Sequence, residues 1–302
     1  MEEVTDVAFR EMFARYGKPD VMFTEFVCVD ALCHPEGRKK LAVDLKYTDK
    51  QRPMVAQIWG RSPLLFEEAA GIVASSGFDG IDINMGCPQD KEISLGACAA
   101  LIQTPPLAIE IIKATKKGGR GLPVSVKTRL GYNTNVVDTW LKHLLSAEPA
   151  AITLHGRTKK EKSKVPANWA EIKKAVEIRN REKSKTLIVG NGDVFSLSDA
   201  RAKVSEFGVD GVMVGRGAFG NPWFFKAEGH EPDIKEKLNV MLEHARLFEE
   251  WLPEKSFFIM RKHFKAYASG FAGAAELRAK LMETKSAAET AQVVETWLKE
   301  KA

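Results

Sequence analysis

The feature that most constrains this chain is a rhythm. Short β-rich runs alternate with helix-length runs along most of its length. Strand-like runs lie at 21–27, 54–58, 80–84, 124–127, 151–155, 186–190 and 211–215. Helix-like runs lie at 6–16, 63–76, 106–116, 136–146, 169–180, 196–207 and from 222 onward. A spacing of roughly 25–40 residues suits one strand, one helix and their loops. These runs read as apolar on both faces, as expected of parallel strands. Ser62-Pro63, Thr104-Pro105 and Ser196 with Asp199 mark helix starts.

Polar residues and glycines gather where each strand ends: Gln57, Asn84 to Cys87, Lys127 to Arg129, His155 to Arg157, Asn191 to Asp193, Gly215 and Arg216. In a (β/α)8 barrel all such ends open on one face, which carries the chemistry. The fold class expected is therefore α/β: a (β/α)8 TIM barrel. Seven strands are visible and only five residues precede the first helix, so the expected barrel has a truncated first strand. After about residue 228 the rhythm stops. Helix-like runs at 238–251, 257–269, 274–283 and 287–299 follow with no strand between them, giving a small C-terminal helical bundle beyond a linker at 229–232.

Composition narrows the classes. The chain has 302 residues, 44% hydrophobic and 28% charged, which excludes collagenous and wholly disordered chains. It has no apolar run long enough to span a membrane. Met1-Glu2-Glu3 is acidic and is followed by no signal-peptide core, so a reducing cytoplasm is expected. The four cysteines, 28, 33, 87 and 98, match neither a disulfide scaffold nor a zinc pattern, and no metal is expected. Net charge is +5, and basic residues cluster at 113–129, 156–185 and 255–285. Each cluster alone is what a solvated helix face looks like. Together they can converge on one polyanion.

Cys87 follows the strand 80–84 within Asn84-Met85-Gly86-Cys87-Pro88. A thiol of ordinary pKa, about 8.5, is mostly protonated at neutral pH and can donate that proton. A buried structural cysteine is the equally available reading, and it is the one adopted for Cys28, Cys33 and Cys98. The last two strands end in Gly190-Asn191-Gly192-Asp193 and Gly215-Arg216-Gly217-Ala218. Glycines there let backbone N–H groups approach a phosphate, in the place where barrels usually hold one. Tight turns alone would use the same residues. Lys127 and His155 end neighbouring strands and can hold negative charge, and Gln57 can bond the edge of a flat heterocycle. Together these describe a flavin mononucleotide site better than a sugar-phosphate site.

Placed in order, these residues resemble the tRNA-dihydrouridine synthases of bacterial type. The resemblance runs through Val4-Thr5-Asp6, Phe9-Arg10, Thr24-Glu25, Gln57-Ile58-Trp59-Gly60 and Ile83 to Pro88. It continues through Val126 to Gly131, Leu154 to Thr158, Gly190 to Asp193, Gly215 to Ala218, Gly220 to Trp223, Met260 to His263 and Leu277-Arg278. The resemblance implies an FMN-binding catalytic barrel at 1–228 and a tRNA-binding helical domain at 229–302. It implies reduction of a uridine's C5=C6 bond in tRNA, with NADPH or NADH as electron donor. Carried over, Cys87 protonates C5. Met1, Gln57, Lys127, His155, Asn191, Gly192, Asp193, Gly215 and Arg216 hold FMN. Asn84, Arg261, Lys262, His263 and Arg278 bind the substrate. The expected partner is tRNA, with no membrane, and the expected state is a monomer. A flavin-barrel reductase of a free small molecule leaves the basic clusters and the helical tail unused. A non-catalytic tRNA-binding descendant leaves Cys87, Lys127 and His155 unused.

Overall fold

Seven of the apolar runs become strands: β1 (Met22–Cys28), β2 (Met54–Trp59), β3 (Gly80–Met85), β4 (Val124–Arg129), β5 (Ala151–His155), β6 (Leu187–Asn191) and β7 (Gly211–Met213). All pair in parallel and in sequential order, a curled (β/α)8-like half-barrel. This computed structural model describes residues 1, 3–226 and 230–301, so the domain junction expected at 228/229 lies outside the described residues. Among the described residues no helix is long and apolar enough to cross a membrane.

The chain divides into two compact units. One comprises Val21–Leu45 and Arg52–Gly215 and contains the sheet. The other comprises Met1–Asp20, Lys46–Gln51 and Arg216–Ala302 and is helical.

In the sheet unit, local chemistry sets the helix starts. Ser62 accepts from the Leu65 amide at 3.5 Å ahead of Pro63–Ser75, and Ser196 accepts from the Asp199 amide at 3.0 Å ahead of Leu197–Phe207. Thr104 precedes Pro105–Gly118 without a side-chain cap, so proline at the first position sets that start by itself. Two short helices, Val29–Cys33 and Pro35–Leu41, occupy the β1–β2 connection. They are too short for apolar periodicity to announce them. Strand β3 is buried throughout, including Asp82 and Asn84.

The helical unit holds Val7–Tyr16, Ile234–Trp251, Met260–Tyr267, Ala274–Leu281 and Ala287–Lys301. Its interior is lined by Phe9, Phe13, Met241, Phe248, Phe264, Leu277 and Trp297. The helix expected from 222 onward is corrected: residues 222–225 form turns. Gly220 takes a left-handed φ of +66°, and a Cβ there would meet the Ala266 carbonyl carbon at 2.5 Å, so the chain is pinned in a turn just before that point.

Candidate active site

Strand register assembles the site. Gln57 pairs with Asp82, and Asp82 with Ser125. Two residues further along, Asn84 pairs with Lys127 and Lys127 with Thr153. Two more residues along, Arg129 pairs with His155, and His155 with Asn191. Side chains alternate between faces with a period of two, so Gln57, Asp82, Asn84, Ser125, Lys127, His155 and Asn191 share one face of the sheet. They climb it in three steps toward the strands' carboxyl ends.

Hydrogen bonds link the first two steps. Ser125 Oγ donates to Asp82 Oδ1 at 2.6 Å, and Gln57 Nε2 donates to Asp82 Oδ2 at 2.7 Å. Asn84 Nδ2 donates to Gln57 Oε1 at 3.2 Å. Asn84 Oδ1 accepts from the backbone N–H groups of Gly86 at 3.0 Å and Cys87 at 2.9 Å. The loop that carries the thiol is thereby tied to the sheet.

Burial pushes the Asp82 carboxyl up to about 6, against the bonds from Ser125 and Gln57 and the charge of Lys127. Burial, aided by the charge of Arg129, lowers the Lys127 ammonium to about 8, while Asp82 and Cys87 act the other way. Lys127 is thus a cation on a mostly desolvated surface, where an attraction to a developing negative charge is strong.

Cys87 is half-buried and packs, with Cys28 and Phe26, against a buried cluster of Trp59, Ala97 and Cys98. The Ala99 amide donates to the Cys87 carbonyl at 3.3 Å. A hydrogen bond to Cys87, reinforced by burial, raises the Cys98 thiol far above the ordinary range. The sequence reading set Cys28 and Cys98 apart from Cys87. The fold brings all three into one cluster, a proximity that no spacing rule announced.

Two buried arginines brace the site, and the sequence reading gave neither a role. Arg129 Nε donates to the Gly86 carbonyl at 2.6 Å, and its Nη1 donates to the carbonyls of Thr158 at 3.2 Å and Lys162 at 3.3 Å. It therefore ties the thiol loop to the basic loop that follows β5. Burial lowers this guanidinium to about 10 and leaves it charged at neutral pH. Arg157 bonds the Val165 carbonyl, pairs with Asp193, and its Nη1 lies 3.2 Å from His155 Nε2. A guanidinium only donates, so His155 accepts at Nε2 and carries its proton on Nδ1.

The last strand ends are similarly tied. Asn191 Nδ2 donates to the Met213 carbonyl at 2.8 Å. Asp193 Oδ2 accepts from the Ala167 amide at 2.8 Å in addition to pairing with Arg157, so its carboxylate shapes the loop. Gly192 has φ +120°, and a Cβ there would meet Ala167 Cβ at 2.7 Å and the His155 ring at 2.9 Å. That position admits only glycine: it packs against His155, and its carbonyl accepts from Trp169 Nε1 at 2.9 Å. Gly215 closes this unit.

Met1, Arg216, Arg261, Lys262, His263 and Arg278 belong to the helical unit. The Met1 ammonium donates to Thr5 Oγ1 at 2.7 Å, and Arg216 is exposed. Arg261 stacks on the Phe258 ring at 4.0 Å, Lys262 pairs with Glu3 at 3.0 Å, and Arg278 donates to the Ala268 carbonyl at 2.7 Å. The expectation that His263 grips a phosphate is corrected. It is fully buried, with Phe219 stacked on it at 5.5 Å and Phe9 at 5.4 Å, and so presents no face to a solvated polyanion.

A cation and two side-chain amides of defined orientation on one face, with a glycine turn beside His155, fit the donor set that a flavin mononucleotide needs. Among the described residues no group of three or more His, Cys, Asp or Glu is arranged to hold a metal.

A family model described as dihydrouridine synthase matches residues 1–302. A "probable tRNA-dihydrouridine synthase" of Staphylococcus epidermidis is 42% identical over 98% of this chain and 91% of its own length. A "probable tRNA-dihydrouridine synthase 2" of Bacillus subtilis is 42% identical over 95% of this chain and 88% of its own. Among solved structures, histamine dehydrogenase from a Rhizobium species aligns with a TM-score of 0.53 at 14% identity, over 81% of this chain and 46% of that one, a likeness of fold.

Proposed function

The chain belongs to the dihydrouridine synthase family of flavin-dependent oxidoreductases, and from that premise we propose that it reduces the C5=C6 bond of a uridine in tRNA, with Cys87 as proton donor to C5. The observation that carries this reading is the seat of the thiol. Asn84 holds the Cys87 amide at 2.9 Å, at the carboxyl end of the face that also bears Gln57, Lys127 and His155.

Gln57, Lys127, His155, the Asn191–Gly192 backbone and Gly215 would hold FMN. When bound and reduced by NADPH or NADH, it supplies the hydride that adds to C6. The chain's own residues do the rest. Lys127 offsets negative charge developing on the pyrimidine oxygens, and its lowered pKa reflects the desolvation that makes it effective. Asn84 can lend its amide only while Gln57 and the thiol loop hold it in one orientation. The Cys87 S–H bond breaks as C5 takes the proton, and solvent restores it through the half-open side of the residue.

The target base must leave its stack to reach this face, which is least costly in a tRNA loop. Lys159, Lys160, Lys162 and Lys164 in the loop braced by Arg129, and Arg261, Lys262 and Arg278 in the 229–302 tail, supply cations for the phosphates.

The test is Cys87→Ala assayed on unmodified tRNA. We expect dihydrouridine formation to fall by about 10²-fold or more, the contribution of a positioned general acid, while the protein stays yellow. Undiminished turnover in that variant would remove Cys87 from the acid role.

A further inference from the structure

One group on the polar face has no part in the proposed reaction. Asp82 is fully buried, and both its oxygens accept hydrogen bonds, from Ser125 and from Gln57. The polarity of the chain above it explains why an acid stands there. The backbone N–H groups of Gly86 and Cys87 can only donate, so Asn84 must turn Oδ1 toward them. That leaves Asn84 Nδ2 facing Gln57, which must answer with Oε1. Gln57 Nε2 is then left over, buried and needing an acceptor. An ionised carboxylate only accepts and closes the series. Each link lies on a strand except the last, the thiol loop, and the backbone N–H of Gln57 donates to Thr24 Oγ1 at 3.0 Å.

We propose that Asp82 is a positioning residue: the buried acceptor that fixes the orientation of the Gln57 and Asn84 side-chain amides and, through them, the placement of the Cys87 loop. This rests on the reading of Cys87 as the proton donor. A side-chain amide has two faces of nearly equal shape. Without a fixed acceptor at one end, Gln57 can turn over and bring its NH2 against that of Asn84. Asn84 then relieves the clash by turning its own NH2 toward the Gly86 and Cys87 N–H groups, and both loop bonds are lost. A leftover donor in a desolvated interior favours that disorder, because each unmade bond there is costly.

The experiment uses the full chain carrying Asp82→Asn or Asp82→Leu. Three quantities are read: kcat and KM on unmodified tRNA, the rate at which iodoacetamide alkylates Cys87, and far-ultraviolet circular dichroism. An asparagine oxygen still accepts from Gln57 while its NH2 can donate to Ser125, so this conservative variant keeps alkylation and kcat within about threefold of wild type, less than one net hydrogen bond is worth. Leucine cannot accept. It shifts the alkylation rate by about tenfold, one hydrogen bond's worth, and lowers kcat by about 10²-fold, the cost of a displaced reacting group, with the tRNA KM little changed.

Wild-type alkylation and kcat in Asp82→Leu overturn the proposal. So do equal losses in Asp82→Asn and Asp82→Leu, which would make charge or folding the cause. Should Asp82→Leu not fold, Asp82→Ala and Gln57→Ala decide, singly and together. Links of one chain give a double variant no worse than the poorer single one, and additive losses overturn the proposal. Alkylation needs no turnover. An active Cys87→Ala enzyme would therefore refute the acid assignment while the alkylation rates still judged Asp82.

Discussion

Two regions of this protein bury polar side chains, and they do so in opposite ways. On the sheet face every polar atom of Gln57, Asp82 and Asn84 that lies in the chain leading to Cys87 has a partner, and the partners run in one direction. In the helical unit, His244 and His263 are fully buried, with rings 4.7 Å apart, and none of their four ring nitrogens has a hydrogen-bond partner among the described residues. Phe9, Phe219 and Tyr267 surround them. The first arrangement gives direction, because donors and acceptors in sequence admit one set of orientations. The second gives none: the imidazoles serve as neutral aromatic rings. Burial drives His244 down to about 3. Burial, with His244 and Lys262 adding to it, lowers His263 well below the ordinary histidine value. A buried polar residue thus signals a positioned site only when its bonds form an ordered series.

The contrast can be broken in three places. The largest effect is expected from Arg129→Met, which leaves the carbonyls of Gly86, Thr158 and Lys162 without their donor. At about 1–3 kcal/mol for each buried unsatisfied group, partly relieved by water, a loss of about 4 kcal/mol is expected. Urea denaturation reads it directly, and a loss below about 1 kcal/mol, the size of one ordinary net hydrogen bond, would mean the guanidinium holds nothing together.

The next effect comes from acid. The unfolded chain's histidines take up protons near pH 6.5, whereas the folded pair resists protonation to a much lower pH. Below pH 6.5 the unfolded state therefore binds more protons, and stability falls as pH falls. The slope is about 1.4 kcal/mol per pH unit for each histidine, or about 3 kcal/mol for the pair at pH 5.5. The melting temperature of the helical unit followed between pH 7 and 5 measures this. A flat profile would show that the pair is not held neutral.

The smallest effect is His244→Phe. It keeps an aromatic ring against Phe9 and removes two unpartnered nitrogens, so a gain of about 1 kcal/mol at pH 7 is expected, together with half the acid slope. A loss at pH 7 with the slope unchanged would mean that His244 has a bonding role the contrast denies it.

How much of this was legible in the linear chain varies with the range of the interaction. Each strand run is visible because strand-forming residues recur within it and helix-length runs bound it. One face nevertheless carries polar side chains. The helix starts at Ser62 and Ser196 are visible because a cap is made within three residues. The run from 222 reads as helix but forms turns, and the glycine just before it is required by a close approach to the Ala266 backbone, more than forty positions away, which local sequence does not announce. Cys98 reads as an isolated structural cysteine for the same reason. Its partner thiol lies across a loop and a short helix at Asp90–Ser94, and nothing in ten intervening residues predicts that they meet. Arg129 and Arg157 lie inside the motifs, yet Arg129 bonds carbonyls of other loops and Arg157 pairs with the carboxylate of Asp193 on the loop after β6. His263 follows Arg261 and Lys262 in sequence, but a helix turns successive residues about 100° apart, and the third of them faces the interior.

The sequence alone determined the period of the fold, the strand ends that carry polar residues, and a thiol after Asn84-Met85-Gly86. All of these depend on residues within one turn or one strand of each other. The tertiary structure decided which of those polar residues share a face, which amide answers which, and which basic residues reach solvent. These depend on the register between strands and on the packing of helices. A shift of one residue in that register would turn Asp82 away from Gln57 and Ser125 without changing a letter of the sequence.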